Sequence, residues 1–299
     1  MSNDPDVAEV LALLRAATAA DGVRPVSEEA ELRLQHRSPG GRDLVVRTGD
    51  GALAGYARID DGTAELVVHP AHRRRGHGTA LLRQLLDLTA ERPLSIWAHG
   101  DLPGSAELLA PHGFTRARVL LQMRLPDLTA AAVDPNPALP EDVRVLPFRR
   151  GRDEEAWLRV NARAFAWHPE QGRMTREDLE LREAEPWFDP EGFLMAWRGD
   201  PHADGELLGF HWTKVHPPGD AAEDAVGEIY VLGVDPGAQG LRLGRALTDL
   251  GLAHLRGRGL GEVLLYVEED NTAAVGLYEG RGFRRFAVDV AWRREPAGD

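Results

Sequence analysis

Arg73-Arg74-Arg75-Gly76-His77-Gly78 follows a β-rich run, Glu65 to Val68, and precedes an apolar helical repeat. In that strand, loop, helix setting, glycines let the backbone turn its N–H groups inward and the helix start adds the positive end of its dipole. Nearby arginines can pair with phosphate oxygens, so a pyrophosphate is the ligand such a turn suits. A single turn of this kind is weak support, because tight strand-to-helix turns use glycine for steric reasons alone. The same context returns at Gln239-Gly240-Leu241-Arg242-Leu243-Gly244, after the run Glu228 to Val234, and the recurrence favours a ligand.

Other groups in the chain have chemistry available to them. Glu228 opens the run that ends in Leu232-Gly233-Val234; a carboxylate there either takes a proton from an attacking amine or sits solvated at a strand edge. Lys214, the only lysine in the sequence, shares one strand face with Phe210 and Trp212 by period-two alternation. Its ammonium either projects beside an aromatic wall or lies on the surface. Glu28 and Glu170 fall between the first two helices of their respective halves, where they either hydrogen-bond acceptor hydroxyls or act as helix N-terminal charges. Tyr278 lies in an ordinary helical pattern, where a tyrosine usually packs half-buried. His69 and His72 lack further ligands at metal spacing, so no metal is expected. No serine or cysteine nucleophile arrangement occurs, which points to direct attack within a ternary complex.

The elements that must position these groups form two series. With 299 residues, two cores are the natural expectation. Apolar spacing predicts helices from Val7 and from Ser27, then strands Asp43 to Arg47, Ala52 to Ile59 and Ala64 to Val68. A helix through Leu81, Leu82, Leu85 and Leu86 follows, then a strand Leu94 to Ala98, a short helix and a strand Arg116 to Leu125. The second half repeats this order: helices Glu154 to Phe165 and Thr175 to Glu183, strands Phe193 to Trp197, Leu207 to Val215 and Glu228 to Val234, helix Leu241 to Leu255, strand Val263 to Val267, helix Asn271 to Arg281 and strand Phe283 to Trp292. Val68-His69-Pro70 aligns with Val234-Asp235-Pro236, and Gly113-Phe114 with Gly282-Phe283, at offsets of 166 and 169 residues. The fold expected is α/β, a mixed sheet flanked by helices, made twice: residues 1–126, a proline- and alanine-rich connector 127–140, and residues 141–299.

The formal charge of −13 disfavours nucleic acid and anionic membranes as partners, and no apolar run reaches membrane-spanning length. The chain contains no cysteine, and its polar start lacks a secretory pattern, so a cytoplasmic monomer acting on a small molecule is expected.

Arg73-x-x-Gly76-x-Gly78 resembles the signature of the GCN5-related N-acetyltransferases, as does the strand ending in Val-x-Pro before it. The second copy has Arg242 where the first glycine belongs, which leaves that loop's geometry open; Gly240 supplies flexibility and Gly244 still allows close approach. Tyr278-Glu279-Gly280-Arg281-Gly282-Phe283 is similar to a later family element, whereas the first half has Leu109 at the tyrosine position and Gly62 at that of Glu228. The strings His168-Pro169-Glu170-Gln171-Gly172, Glu185-x-Trp187-Phe188-Asp189-Pro190 and Phe210-His211-Trp212-Thr213-Lys214-Val215-His216-Pro217 resemble an actinobacterial, tandem-domain branch of that family.

The resemblance implies acetyl-CoA as co-substrate and transfer to the cysteinyl amine of cysteinyl-glucosaminyl-inositol (desacetylmycothiol), the last step of mycothiol biosynthesis. It implies Glu228 as base and Tyr278 as acid, with Glu28, Glu170, Lys214 and Glu228 contacting the acceptor. Cofactor contacts are implied in the first half at Leu66, Val67, Val68 and at Arg73, Arg74, Arg75, Gly76, His77, Gly78 and Thr79. In the second they are implied at Leu232, Gly233, Val234, then Gln239, Gly240, Leu241, Arg242, Leu243, Gly244 and Arg245, and at Asn271. The first half is expected to bind the cofactor without turnover. The rivals are an acetyltransferase for an aminoglycoside or a peptide N-terminus, and a non-catalytic acyl-CoA sensor.

Overall fold

The computed structural model describes residues 5–36, 40–90, 92–168, 171–201, 205–219, 222 and 224–296. Contacts divide the chain into two compact units: Met1–Leu121 with Glu268–Asp270 and Ala287–Asp299, and Gln122–Val267 with Asn271–Phe286.

The first unit opens with α1 (Val7–Asp21), capped by the Asp6 carboxylate accepting from the Ala8 N–H and ended by Gly22 in the left-handed region. Ser27 caps α2 (Glu28–Gln35). Strands β1 (Arg42–Arg47), β2 (Leu53–Asp60) and β3 (Thr63–Val68) follow, then α3 (His77–Leu88), β4 (Leu94–Ala98), α4 (Pro103–Leu109) and β5 (Thr115–Leu125). β1, β2 and β3 are antiparallel neighbours, and β4 runs parallel to β3. Leu81, Leu82 and Leu85 of α3 pack with Ile96 on one face of this sheet, and Val10, Leu13 and Leu14 of α1 pack with Tyr56 and Val67 on the other.

The second unit adds β6 (Val143–Pro147), α5 (Glu154–Ala164), α6 (Arg176–Glu183), β7 (Phe193–Arg198), β8 (Glu206–His216), β9 (Val226–Val234), α7 (Leu243–Gly257), β10 (Val263–Glu268), α8 (Thr272–Glu279) and β11 (Arg284–Arg294). Strands β6 to β9 are antiparallel in sequence order, and β10 is parallel to β9. One face buries Trp157, Phe193, Phe210 and Trp212; another cluster joins Leu208 to Leu243 and Leu247 of α7. The expected mixed sheets flanked by helices are therefore present in both units.

Three features lie outside the sequence reading. β6 is an extra strand; it is short, ends at Pro147 and sits at the edge of its sheet, a place where proline is tolerated. Within the connector, Leu128 is fully buried and its N–H donates to the Gly261 carbonyl at 2.7 Å. Finally, the last strand of each half is shared between the units. β11 gives Val290 to Arg294 to an antiparallel ladder with β4 in the first unit. The end of β5 joins the second, where Gln122 donates to the Tyr266 hydroxyl and Arg124 to Glu262.

Candidate active site

Each unit parts two parallel strands. β3 pairs with β4 from Thr63↔Ser95 to Glu65↔Trp97, leaving Leu66, Val67 and Val68 beyond the ladder. β9 pairs with β10 from Gly227↔Val263 to Ile229↔Leu265, leaving the stretch with Leu232, Gly233 and Val234 beyond it. Backbone groups on such a freed edge are available to a ligand.

Both freed strands lead into a helix through the same backbone shape. In the first loop Arg74 and Gly76 have φ of 62° and 86°; in the second Gly240 and Arg242 have φ of 87° and 59°. Glycine and arginine have changed places. Gly76 and Arg242 are the N-terminal flanking residues of α3 and α7, so successive N–H groups converge where each helix begins. Arg242 thus adopts the left-handed conformation that a glycine would take without strain.

Side chains of the first loop are largely engaged within the protein. The Arg73 guanidinium forms a two-pronged pair with Asp21 at 2.7 and 2.6 Å, and Arg74 pairs with Glu107. An anion placed there would meet mainly backbone N–H groups. Arg75 is exposed, and His77, Gly78 and Thr79 form the first turn of α3. A groove of about 820 Å³ runs past Val68, Gly76, Gly78, Thr79 and Leu109, so the residues present suit an elongated phosphorylated ligand. In the second loop Leu243 is buried, whereas Gln239, Gly240, Arg242 and Arg245 are exposed and Leu241 and Gly244 half-buried.

The hairpin β8–β9 carries the charged groups. Its ladder opens at Gly209↔Val234 and contains a bulge, with Trp212 opposite Val231 and Thr213 opposite Ile229. Beyond the bulge, Lys214 lies directly across from Glu228. Both are buried, at 5% and 6% exposure, which decides against the solvated readings of either residue. The Lys214 ammonium stands 4.4 Å from the centre of the Trp187 ring and 5.3 Å from that of Tyr230, an aromatic wall made of residues other than the Phe210 and Trp212 that alternation places on its strand face. Glu228 Oε2 lies 2.6 Å from His216 Nε2. Arg182 Nε donates to the Tyr230 hydroxyl at 2.7 Å, fixing one side of that wall.

Tyr278 is buried on α8 with its ring 5.8 Å from Phe283, and burial pushes the phenol pKa up, so the group keeps its proton at neutral pH. Asn271 caps α8, its side-chain oxygen accepting from the Ala274 N–H at 3.2 Å. Lys214, Glu228, Tyr278 and Asn271 therefore share the second unit. Glu28 is not between the first two helices as expected but is the first residue of α2 in the first unit, since Ser27 takes the cap, and Glu170 lies outside the described residues. Among the described residues, no cluster of three or more His, Asp or Glu side chains is placed to hold a metal.

Two constellations escaped the sequence reading. His216 follows Lys214 by two residues on one strand face, so its place beside Glu228 was readable from alternation once the hairpin register was known. The other constellation is in the first unit, where His99 bridges Glu65 and Asp289 at 3.1 Å each. Glu65 also accepts from the Ser27 N–H and hydroxyl, and Asp289 from the Gly100 N–H. Burial disfavours the imidazolium, but hydrogen bonds to Asp289 and Glu65, with their charges, outweigh it and lift His99 to about 10. Asp289 lies 190 residues from His99, and no local pattern links them.

The profile of the Acetyltransferase (GNAT) family matches residues 10–114 and 161–283, one segment in each repeat. The Mycothiol acetyltransferase of Geodermatophilus obscurus is 68% identical, covering 96% of this chain and 94% of its own. That of Thermomonospora curvata is 54% identical, covering 98% and 95%. In fold, the chain is similar to a GCN5-related N-acetyltransferase from Sphaerobacter thermophilus (TM-score 0.70, 24% identity, 100% and 97% of the two chains). It is equally similar to a tandem GNAT protein from the clavulanic acid biosynthesis pathway (TM-score 0.70, 22% identity, 98% and 95%). With family matches in both repeats and a full-length relative this similar, the chain belongs to the GNAT family of acetyltransferases.

Proposed function

We propose that this enzyme transfers acetyl from acetyl-CoA to the cysteinyl amine of desacetylmycothiol, completing mycothiol, and that the second unit performs the chemistry. The observation that carries the reading is the 68% identity to a Mycothiol acetyltransferase over 96% of this chain. The buried Lys214 and Glu228 of the β8–β9 hairpin give it a physical basis.

In this reading an amine with a pKa of about 7.7 to 8.0 enters partly neutral and gives its proton to Glu228 as its nitrogen attacks the thioester carbon. Backbone N–H groups among Leu232, Gly233 and Val234 hold the thioester oxygen. As the carbon–sulfur bond breaks, Tyr278 protonates the sulfur. Lys214, Glu28 and Glu170 contact the acceptor. The loop Gln239 to Arg245, with Asn271, holds the co-substrate in the second unit. Residues 1–126, through Leu66 to Val68 and Arg73 to Thr79, bind acetyl-CoA and do not turn it over, because Gly62 and Leu109 supply neither base nor acid. No described helix is long and apolar enough to cross a membrane. In this reading the enzyme is cytoplasmic, its acceptor is polar, and its chemistry uses no metal.

The test supplies the full chain with acetyl-CoA and a panel of amines and follows coenzyme A release. Cysteinyl-glucosaminyl-inositol should be used far better than aminoglycosides or peptide N-termini; a preference for either of those would overturn the assignment.

A further inference from the structure

We infer that His216 is a positioning residue for Glu228, an inference that rests on the assignment of Glu228 as the base. The two side chains are buried, with 7% and 8% of their surfaces exposed, and their Nε2 and Oε2 atoms are 2.6 Å apart. An ionised carboxylate only accepts hydrogen bonds, so the imidazole must donate from Nε2. That bond fixes one carboxylate oxygen and the plane of the group, leaving Oε1 to meet the incoming amine. The other charged group on this part of the hairpin, Lys214, is directly across the ladder from Glu228 and stands over Trp187 and Tyr230. His216 therefore has a task that the lysine does not share, orienting the base from the far end of β8.

In the reaction the amine N–H bond breaks and its electron pair stays on nitrogen as the new carbon–nitrogen bond forms. The proton passes to the Glu228 carboxylate, and His216 keeps its own proton throughout. Removing the histidine lets the carboxylate rotate and adopt unproductive poses, which lowers turnover without touching the co-substrate loop.

The experiment compares His216→Ala and His216→Gln in the full chain, alone and combined with Glu228→Gln. His216→Ala should lower kcat about 10- to 100-fold, the loss of one hydrogen bond to a charged group, while acetyl-CoA affinity stays at the wild-type value. His216→Gln, whose amide still donates, should restore most of it. On top of Glu228→Gln, His216→Ala should cost less than about twofold, because no carboxylate remains to be oriented. His216→Leu, which fills the space and donates nothing, replaces alanine if that variant does not fold, with the same expectations. A full loss on the Glu228→Gln background, equal losses for Ala and Gln, or wild-type turnover in His216→Ala would each overturn the inference. Wild-type turnover in Glu228→Gln alone would instead overturn the base assignment.

Discussion

The two repeats agree where a phosphate would bind and differ where a proton would move. Their loops use left-handed residues at matching places, Arg74 and Gly76 against Gly240 and Arg242, so one backbone shape is reached with opposite choices of side chain. The hairpins diverge. β2 and β3 close at Asp60↔Thr63 around Asp61 and Gly62, both at positive φ, whereas β8 and β9 run past a bulge to His216↔Val226. Counted from Gly55↔Val68 and Gly209↔Val234, the sixth pair is Asp60↔Thr63 in the first repeat and Lys214↔Glu228 in the second, so of these groups only His216 stands on the added length, and the first repeat has no carboxylate in the place of Glu228. An anion site needs only backbone, and the backbone shape is kept in both repeats, while acid–base chemistry needs particular buried side chains.

The largest expected effect tests that division directly. Glu228→Gln and Tyr278→Phe should each lower turnover by about 10²- to 10⁴-fold in steady-state assays, with acetyl-CoA binding retained. Higher pH should partly rescue Glu228→Gln, since more amine is neutral, but not Tyr278→Phe, since alkali supplies no proton. Residual turnover near the wild-type rate would mean that the first unit is active and the comparison fails.

Gly76→Val probes the other side. A β-branched residue at φ 86° is strained, and calorimetry should show bound acetyl-CoA falling toward one equivalent while acetylation persists. Loss of turnover in a folded Gly76→Val protein would place the chemistry in the wrong repeat.

A third measurement concerns stability. His99 is held at about 10, above its ordinary 6.5, so its contribution is complete below about pH 6.5 and is lost as pH rises toward 10. Melting temperature should fall across that window, and the fall should flatten in His99→Gln; an unchanged slope would refute the linkage. The smallest effect belongs to Arg242→Gly, which relieves about 1 kcal/mol of left-handed strain and should raise the melting temperature by about 2–4 °C. No gain would mean that the strain relieved is matched by the conformational freedom that glycine adds to the unfolded chain, together with any contacts the arginine loses.

Most elements were legible because period-two and helical spacing are local properties: β4 and β10 lie where alternation puts them, and Ser27 caps the helix it was expected to start. The wall beside Lys214 was not legible in this way, because Trp187 and Tyr230 reach it from other segments and not from alternation along β8. What escaped depends on distant partners or on backbone angles. β6 is no shorter than β4 but ends in Pro147 and follows a proline-rich connector, a context that argues against a strand, and Arg242 gives no sign in its side chain that it will adopt a glycine's φ. The bond between His216 and Glu228 requires the register of a bulged hairpin, and the meeting of His99 with Asp289 requires the strand exchange.

That exchange also sets an order in time. Asp289 emerges from the ribosome 190 residues after His99, which at about 5–20 residues per second is a wait of roughly 10 to 40 s. Throughout it, β4 presents an unpaired edge and Glu65 and His99 wait for their third member. The half made first is therefore finished last, and a gene cut between residues 126 and 127 would yield an N-terminal fragment lacking the strand that closes its sheet.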